Sequence, residues 1–275
     1  MPELPEVETI VRDLSLKIRG LTIESYQLIY PPLLRDGDRN LLRKIKGKRI
    51  LDISRRGKMI LLNCSNDRTL LFHLKMTGSF LFCSRTAPRD KHVHFTLRFT
   101  GEEKELRFRD IRKFGYIYCL RTSAVCLAEK LRRLGPEPLE IDLPSFDNLF
   151  KRRKARIKGL LLDQSFIAGI GNIYADEILY RARIHPSALA SELDRRKRRS
   201  LWKAMRIVLH EAIEKRGTSI QNYSDAEGQQ GEFQDFLRVY SREGRPCRVC
   251  GDKIVRLRMG GRSTFFCPHC QSPKQ

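Results

Sequence analysis

Four cysteines near the carboxyl end of the chain constrain its fold more than any other feature. Cys247 and Cys250 are separated by two residues, sixteen residues follow, and Cys267 and Cys270 repeat the two-residue spacing. Two such pairs can present four thiolates to one tetrahedral metal ion, and the spacing is typical of a structural zinc site. The sequence therefore predicts one structural Zn²⁺ held by these cysteines, with disulfides as the alternative that a reducing compartment disfavours.

The residues between the two cysteine pairs predict a β-hairpin. The segments KIVRLR and STFF are rich in strand-forming residues, and Met259-Gly260-Gly261-Arg262 between them has the composition of a turn. A segment of ~30 residues buries too little apolar surface to fold by itself, so the metal would supply the missing free energy.

Upstream of the cysteines, the hydrophobic pattern divides the chain into a β-rich part and a helical part. Apolar residues at helical spacing after Pro5 predict an amphipathic helix that ends at Gly20. Eight short, β-rich segments between positions 21 and 120 predict a β-sandwich or barrel. From Ala124 to Arg216 the pattern is helical, with a rigid GPEP linker at 135–138. The prediction is a multidomain α+β fold, with a β domain over 1–134, a helical domain over 135–240 and a finger over 241–275.

The charge distribution indicates a polyanionic partner. The chain has 54 basic and 32 acidic side chains, a formal net charge of +22. Residues 1–150 hold 28 basic against 19 acidic side chains and residues 151–275 hold 26 against 13, so the excess is spread along the chain. This favours a broad polyanion-binding face, with a generally basic surface as the alternative. No apolar run approaches the ~18 residues that cross a bilayer, so we expect a cytoplasmic protein with no membrane partner.

The amino end, MPELPEVET, places two prolines and three glutamates at the tip of a basic protein. Removal of the initiator methionine would expose Pro2 as a secondary amine, and an α-amino group is far less protonated at neutral pH than a lysine. Such an amine can attack a sugar C1′ and form an iminium. Glu3 is then placed to protonate a ring-opening oxygen, and Glu6 to move protons or orient water. The alternative is structural, since Pro5 can begin a helix whose positive end the acids favour.

Six motifs, taken together, resemble the formamidopyrimidine-DNA glycosylase (Fpg) family. In chain order they are MPELPEVET, RRGK at 55–58, HLKMTG at 73–78, RDIRKFG at 109–115, GIGNIYADE at 169–177 and the four-cysteine finger. The resemblance implies an N-terminal β-sandwich, a helix-two-turn-helix region and a zinc finger, with damaged double-stranded DNA in a cleft between lobes. It also implies a monomeric, bacterial-type, nucleoid-associated base-excision repair enzyme that removes oxidised purines, 8-oxoguanine and formamidopyrimidines, and cleaves the abasic site by β,δ-elimination.

The resemblance also implies a role for each matching residue. Pro2 would form a Schiff base with the deoxyribose while Glu3 acts as the acid at the sugar ring. Lys58 would contact DNA near the lesion and serve β-elimination, and Arg262 would clamp phosphates for the second elimination. The other matches are DNA contacts, of which the first three would fill the gap left by an extruded base: Met76, Arg112, Phe114, His92, Arg153, Lys158 and Asn172.

Structural alternatives accompany several of these positions. Met76 and Phe114 suit the core of a β domain, but the turn residues that follow each of them favour exposed loop tips. Asn172 suits a plain helix N-cap, and Lys58 a solvated strand end. The KRRKARIK segment around Arg153 offers several interchangeable cations. The 217–233 loop matches the family's damaged-base lid only in position and composition, which leaves the lesion preference open.

Two other functions fit part of the sequence. An endonuclease VIII-like enzyme would share Pro2, Glu3 and the finger but prefer oxidised pyrimidines, and the LPEVET segment together with the Met76, Arg112 and Phe114 trio argues against it. A non-catalytic, zinc-containing nucleic-acid binder would keep the fold and the charge without the reaction. The presence of all three reactive residues, Pro2, Glu3 and Lys58, argues against that function.

Overall fold

The structure, a computed structural model, describes residues 1–35, 39–219 and 231–272. The chain forms two compact units, of which the first comprises Met1–Arg132 and Lys215–Glu232 and the second comprises Arg133–Glu214 and Phe233–Gln275. The segment after the longest helix therefore belongs to the first unit, and the helical region and the finger belong together to the second. None of the helices in the described ranges has the length and apolar character needed to cross a bilayer.

The first unit contains one long α-helix, eight strands and two short α-helices among its described residues. The long helix is amphipathic and begins with a proline in its first turn, as the sequence predicts. All eight β-rich segments form strands. The bounds are α1 (Leu4–Ile18), β1 (Ile23–Leu28), α2 (Arg39–Arg43), β2 (Ile50–Arg56), β3 (Met59–Cys64), β4 (Arg68–His73), β5 (Gly78–Ser84), β6 (Val93–Phe99), β7 (Lys104–Asp110), β8 (Tyr116–Leu120) and α3 (Glu129–Arg132).

The eight strands form two antiparallel four-stranded sheets, in the orders β1-β6-β7-β5 and β2-β3-β4-β8. The apolar faces of both sheets, together with one side of α1, share a single hydrophobic core. Phe72 on β4 joins the two sheets, because its ring centroid lies 5.0 Å from that of Phe80, 5.9 Å from that of Phe95 and 5.8 Å from that of Phe108. The expected β-sandwich is thereby confirmed.

Two loops cross between the sheets side by side. One runs from the end of β4 to the start of β5, and the other from the end of β7 to the start of β8. In the first sheet Gly78 pairs with Asp110, and in the second His73 pairs with Tyr116. Since these pairs bring both ends of the two loops together, residues 74–77 and 111–115 must lie next to each other.

The second unit combines helices with the finger hairpin. Its elements are α4 (Leu143–Leu149), α5 (Ile157–Leu162), α6 (Asn172–Arg181), α7 (Arg195–Glu214), β9 (Val255–Met259) and β10 (Arg262–Phe266). Helix α7 buries Leu201, Met205, Val208 and Ala212 on one face, as its periodicity predicts. Strands β9 and β10 pair around Gly260-Gly261, so the predicted hairpin and its turn are both confirmed.

We predict that Phe72→Ala lowers the free energy of unfolding of the first unit by about 3–5 kcal/mol, because it removes a fully buried ring and leaves a cavity between the sheets. Leu51→Ala is the matched control, since Leu51 is 52% exposed and its truncation should change stability by less than about 0.5 kcal/mol. Urea unfolding followed by circular dichroism measures both values. Equal losses in the two variants would contradict a core centred on Phe72.

Candidate active site and nucleic-acid interface

Residues 2–6, which include the first turn of α1, are buried. Pro2 is buried, and Glu3 and Glu6 are only 2% and 1% exposed. Glu3 is the N-cap of the helix and forms a capping box with Glu6, whose Oε2 accepts the Glu3 backbone N–H at 2.7 Å. Met1, in contrast, is half exposed. The helix start thus holds the residues expected to carry the chemistry. Glu3 and Glu6 also have the structural role that the sequence allows, because both lie at the start of α1.

The second oxygen of Glu6 holds the segment that follows α7. Glu6 Oε1 accepts the backbone N–H of Thr218 at 2.7 Å. Gly217 lies directly against the same carboxylate with φ +80°, and a Cβ at that position would come within 2.7 Å of Oε1. About two helical turns further along α1, Asp13 Oδ2 pairs with Arg216 Nη2 at 2.7 Å. Each oxygen of Glu6 therefore accepts a backbone N–H, a geometry that favours positioning over proton transfer.

Lys58 lies in the tight turn between β2 and β3. Its side chain is largely buried, so it is not a solvated strand end. The turn is tied to α1 through Arg55, whose Nε donates to Glu8 Oε2 at 3.0 Å and whose Nη1 donates to the Gly57 carbonyl at 3.0 Å. An ion pair between the helix and the turn thus fixes the backbone that carries Lys58.

The two crossing loops carry Met76, Arg112 and Phe114, which we call the filler cluster. Met76 and Phe114 are 43% and 49% exposed, which agrees with loop tips and not with core positions. Arg112 Nη1 lies 2.9 Å from Met76 Sδ, and its guanidinium stacks over the Phe114 ring at 4.6 Å from the centroid. The structure therefore gathers these three residues into one exposed patch.

Three further cationic or polar positions lie at or near the surface. His92 is half-buried, and its backbone N–H donates to Asp90 Oδ1 at 3.0 Å. Arg153 is exposed in the basic segment after α4, and Arg262 is exposed at the first position of β10, beside the Gly260-Gly261 turn. Both arginines are thus accessible from solvent.

Lys158 is placed quite differently from the other cations of the KRRKARIK segment. It is 1% exposed, and its Nζ pairs with Asp176 Oδ1 at 2.7 Å and donates to Thr264 Oγ1 at 2.8 Å. Burial raises the pKa of Asp176 to about 7, while the neighbouring ammonium opposes that rise. The pair lies inside the second unit and joins α5 and α6 to the finger strand β10.

Asn172 takes part in the same junction. The N-cap of α6 is Gly171, and Asn172 is the first helical residue, so the N-cap alternative is wrong by one position. Its Nδ2 donates to the Ser263 carbonyl at 2.9 Å, and Lys158 Nζ donates to the same carbonyl at 3.0 Å. Two residues expected to contact DNA thus have protein partners on the finger hairpin.

The four cysteines meet at one point. Their sulfur atoms all lie within 4.8 Å of one another, with Cys247 and Cys270 at 3.9 Å and Cys250 and Cys267 at 3.4 Å. Sulfur atoms around tetrahedral zinc are separated by about 3.8 Å, given Zn–S bonds of ~2.3 Å. The backbone N–H of Val249 donates to Cys247 Sγ, and that of Cys270 donates to Cys267 Sγ. The donor set and the spacing fit one Zn²⁺ with no open position.

Several residues that shape these sites escaped sequence reasoning. Asp176 Oδ2 accepts the Phe265 backbone N–H at 3.0 Å, and Tyr180 Oη lies 3.2 Å from Cys247 Sγ. Glu177 accepts the backbone N–H groups of Arg238, Val239 and Tyr240, and burial raises its pKa. The signal in the sequence was a pair of adjacent acids among the apolar residues of α6, which indicates buried partners without identifying them.

Three family models match successive parts of the chain. They are the formamidopyrimidine-DNA glycosylase N-terminal domain over residues 1–117, the formamidopyrimidine-DNA glycosylase H2TH domain over 134–224, and the zinc finger found in FPG and IleRS over 244–273. Together they cover most of the sequence in a single order. The fold found in the structure corresponds to these three models.

Whole-length relatives point the same way. The formamidopyrimidine-DNA glycosylase of Pelotomaculum thermopropionicum is 46% identical over 278 residues, with 100% of both chains covered. A solved complex of a Lactococcus lactis FPG mutant with Fapy-dG-containing DNA has a TM-score of 0.92 at 37% identity, covering 98% of this chain and 100% of that one. A second complex, of the Lactococcus lactis protein with DNA containing an abasic site, also has a TM-score of 0.92 at 37% identity, covering 98% and 99%. The chain belongs to the formamidopyrimidine-DNA glycosylase family.

Proposed function

We propose that this protein removes oxidised purines, 8-oxoguanine and formamidopyrimidines, from duplex DNA and then cleaves the abasic site as a lyase. The observation that carries the proposal is the buried Pro2-Glu3 pair, held in one backbone geometry by Glu6. The complex of the Lactococcus lactis relative with Fapy-dG-containing DNA supports the substrate class, and its complex with abasic-site DNA supports action at the abasic site.

The first step is nucleophilic displacement at the sugar. After removal of Met1, the Pro2 nitrogen forms a bond to C1′ while the C1′–N9 bond breaks, and the base leaves with that electron pair and takes up a proton. Glu3 then protonates O4′ as the C1′–O4′ bond opens. The amine proton is released, and the nitrogen lone pair forms the C1′=N⁺ iminium.

Elimination follows from the iminium. It acidifies the C2′ proton, so loss of that proton breaks the C3′–O bond and the 3′ phosphate leaves with the electron pair. A second proton loss, at C4′, expels the 5′ phosphate in the same way. Lys58 serves the first elimination from its anchored turn, and the exposed guanidinium of Arg262 binds the phosphates for the second.

The filler cluster provides for base extrusion. Removing a base from the stack leaves a gap, which an exposed aromatic ring and its stacked guanidinium are suited to fill. Phe114 wedges between bases and Arg112 donates to the unpaired partner base, for which cytosine is proposed. His92, Arg153 and Asn172 are proposed phosphate contacts. For Lys158 we propose a structural role, because its ammonium is buried against Asp176 and the finger.

Zinc would be held by Cys247, Cys250, Cys267 and Cys270. Bound there, it would cross-link the two ends of the finger hairpin and would supply no chemistry on DNA, because four protein thiolates would complete its coordination. Tyr180 Oη, on α6, donates a hydrogen bond to the Cys247 thiolate. The finger is thereby linked to the helical region through its own metal ligand.

We predict that borohydride traps a covalent adduct between the protein and lesion-containing duplex, and that Pro2→Gly lowers its yield by roughly an order of magnitude because the reactive secondary amine is lost. Gel electrophoresis measures the yield. Pro31→Gly, at an exposed proline, is the matched control and should trap like the wild type.

Duplexes carrying one lesion each test the substrate class. Preference for oxidised pyrimidines would favour an endonuclease VIII-like enzyme, and binding without any trapping would indicate a non-catalytic protein.

Gly217 tests whether the Glu6 contact controls the nucleophile. We predict that Gly217→Ala slows Schiff-base formation by about ten- to a hundredfold, because its Cβ would displace the carboxylate that positions Glu3. Gly101→Ala is the control: Gly101 has a similar φ of +72° with nothing within 4 Å of the added Cβ, so only backbone strain changes. Single-turnover trapping compares the two. Equal rates in both variants would mean that Glu6 does not position the site.

The Tyr180 contact predicts a change in metal retention. We expect Tyr180→Phe to release zinc to a chromogenic chelator about tenfold faster than the wild type, because the Cys247 thiolate loses a donor from outside the coordination shell. Tyr26→Phe, in the β-sandwich, controls for the loss of a tyrosine hydroxyl elsewhere. Unchanged release from Tyr180→Phe would show that this hydrogen bond does not stabilise the metal site.

A further inference from the structure

Asp110 is a fully buried carboxylic acid at the point where the two crossing loops meet. It is the last residue of β7, is 0% exposed, and pairs across the sheet with Gly78, the first residue of β5. A buried carboxylate is costly unless several donors satisfy it. Its partners should therefore reveal what it holds in place.

Both oxygens of Asp110 accept hydrogen bonds from the loops that carry the filler cluster. Oδ1 accepts the hydroxyl of Thr77, from the first loop, and the backbone N–H of Arg112 at 3.2 Å, from the second. Oδ2 accepts the backbone N–H of Gly115 at 2.7 Å. Thr77 Oγ1 in turn accepts the Arg112 N–H at 3.1 Å. One carboxylate thus spans the second loop from start to end and ties it to the first.

The second loop packs closely against Asp110 at Gly115. A Cβ at Gly115 would come within 2.8 Å of Phe108 Cζ and 3.1 Å of Asp110 Oδ2, so the loop must close directly on the carboxylate. At the other side, His94 Nε2 lies 2.8 Å from the Asp110 carbonyl oxygen. The acid is therefore itself held by the sandwich on which it stands.

Both loops contain a residue in the left-handed region that side chains disfavour. Lys75, next to Met76, has φ 53°, and Lys113, between Arg112 and Phe114, has φ 56°. Such conformations persist only where surrounding contacts impose them. The Asp110 carboxylate supplies those contacts for Lys113, because it fixes the backbone on either side of that residue.

From these contacts we infer that Asp110 is a positioning residue for base extrusion: through Thr77, Arg112 and Gly115 it locks the two crossing loops together, so that the filler cluster enters the duplex as one preformed wedge. The inference rests on the proposed function and assigns to this acid the rigidity that extrusion needs. Displacement of a reacting assembly by about 1 Å is enough to cost a hundredfold in rate.

The test replaces Asp110 by asparagine, whose amide can keep only one acceptor oxygen and must point an N–H₂ group at a donor. We expect the single-turnover rate of 8-oxoguanine removal from duplex to fall by about tenfold or more. Cleavage of an abasic site in a single-stranded oligonucleotide should stay within about twofold, because no stacked base is extruded and no gap is filled. A fluorescent base analogue opposite the lesion should also lose the signal change that accompanies wedge insertion.

Asp67→Asn is the matched control. Asp67 accepts the backbone N–H of Ser123 at 2.8 Å and its hydroxyl at 3.0 Å, but it lies in an exposed turn before β4. The crossing loop follows the other end of this strand, about 17 Å away at ~3.3 Å per residue. This variant removes the same charge with the same side-chain shape and should leave both rates unchanged.

Thr77→Val provides a second variant in case Asp110→Asn fails to fold. It keeps the side-chain volume and removes the hydroxyl that joins the loops, so the duplex rate alone should fall. Full duplex activity in both variants would overturn the inference, as would a parallel loss on single-stranded abasic DNA. A wild-type protein that processes neither substrate would instead refute the proposed function, so the two failures are distinguishable.

Discussion

The carboxylate of Glu6 is the contact on which the arrangement of the amino end depends. One of its oxygens accepts the backbone N–H of Glu3. The other accepts that of Thr218, which lies 212 residues after Glu6. The segment that follows α7 is thereby connected to the first turn of α1. The proposed nucleophile, the Pro2 amine, needs a fixed orientation, and a helix start that is hydrogen-bonded on both sides is a suitable support for it.

In the second unit, a buried ion pair likewise connects segments that are distant in the sequence. Lys158 and Asp176 are both fully buried, and such a pair is stable only when further donors and acceptors satisfy it. Here the finger strand provides them through the Ser263 carbonyl, the Thr264 hydroxyl and the Phe265 N–H. The exposed turn that carries Arg262 therefore stands on a strand that is anchored to α5 and α6. The exposed Arg153, a proposed phosphate contact, and the buried Lys158, which joins α5 to the finger, are only a few residues apart in the sequence.

Much of the fold and of the candidate site was predictable from the sequence, and the features that were not predicted share one cause. Cysteine spacing, strand periodicity and turn residues are local signals, and they predicted the metal cluster, all eight strands of the sandwich and the exposed positions of Met76 and Phe114. Lys158 could not be told from its neighbours in KRRKARIK, because its burial depends on Asp176 and on a hairpin more than a hundred residues away. The roles of Glu6 and Asp110 likewise depend on partners that only tertiary structure supplies. A carboxylate in a sequence does not indicate which backbone N–H groups it will accept.

The proposed reaction requires that the Pro2 nitrogen be the atom that bonds to the sugar. Peptide mapping of the borohydride-reduced adduct by tandem mass spectrometry tests this most directly. We expect the mature chain to begin at Pro2 and the deoxyribose mass to be found on that residue. A chain that retains Met1 and still forms the adduct, or an adduct mapped to Lys58, would contradict it.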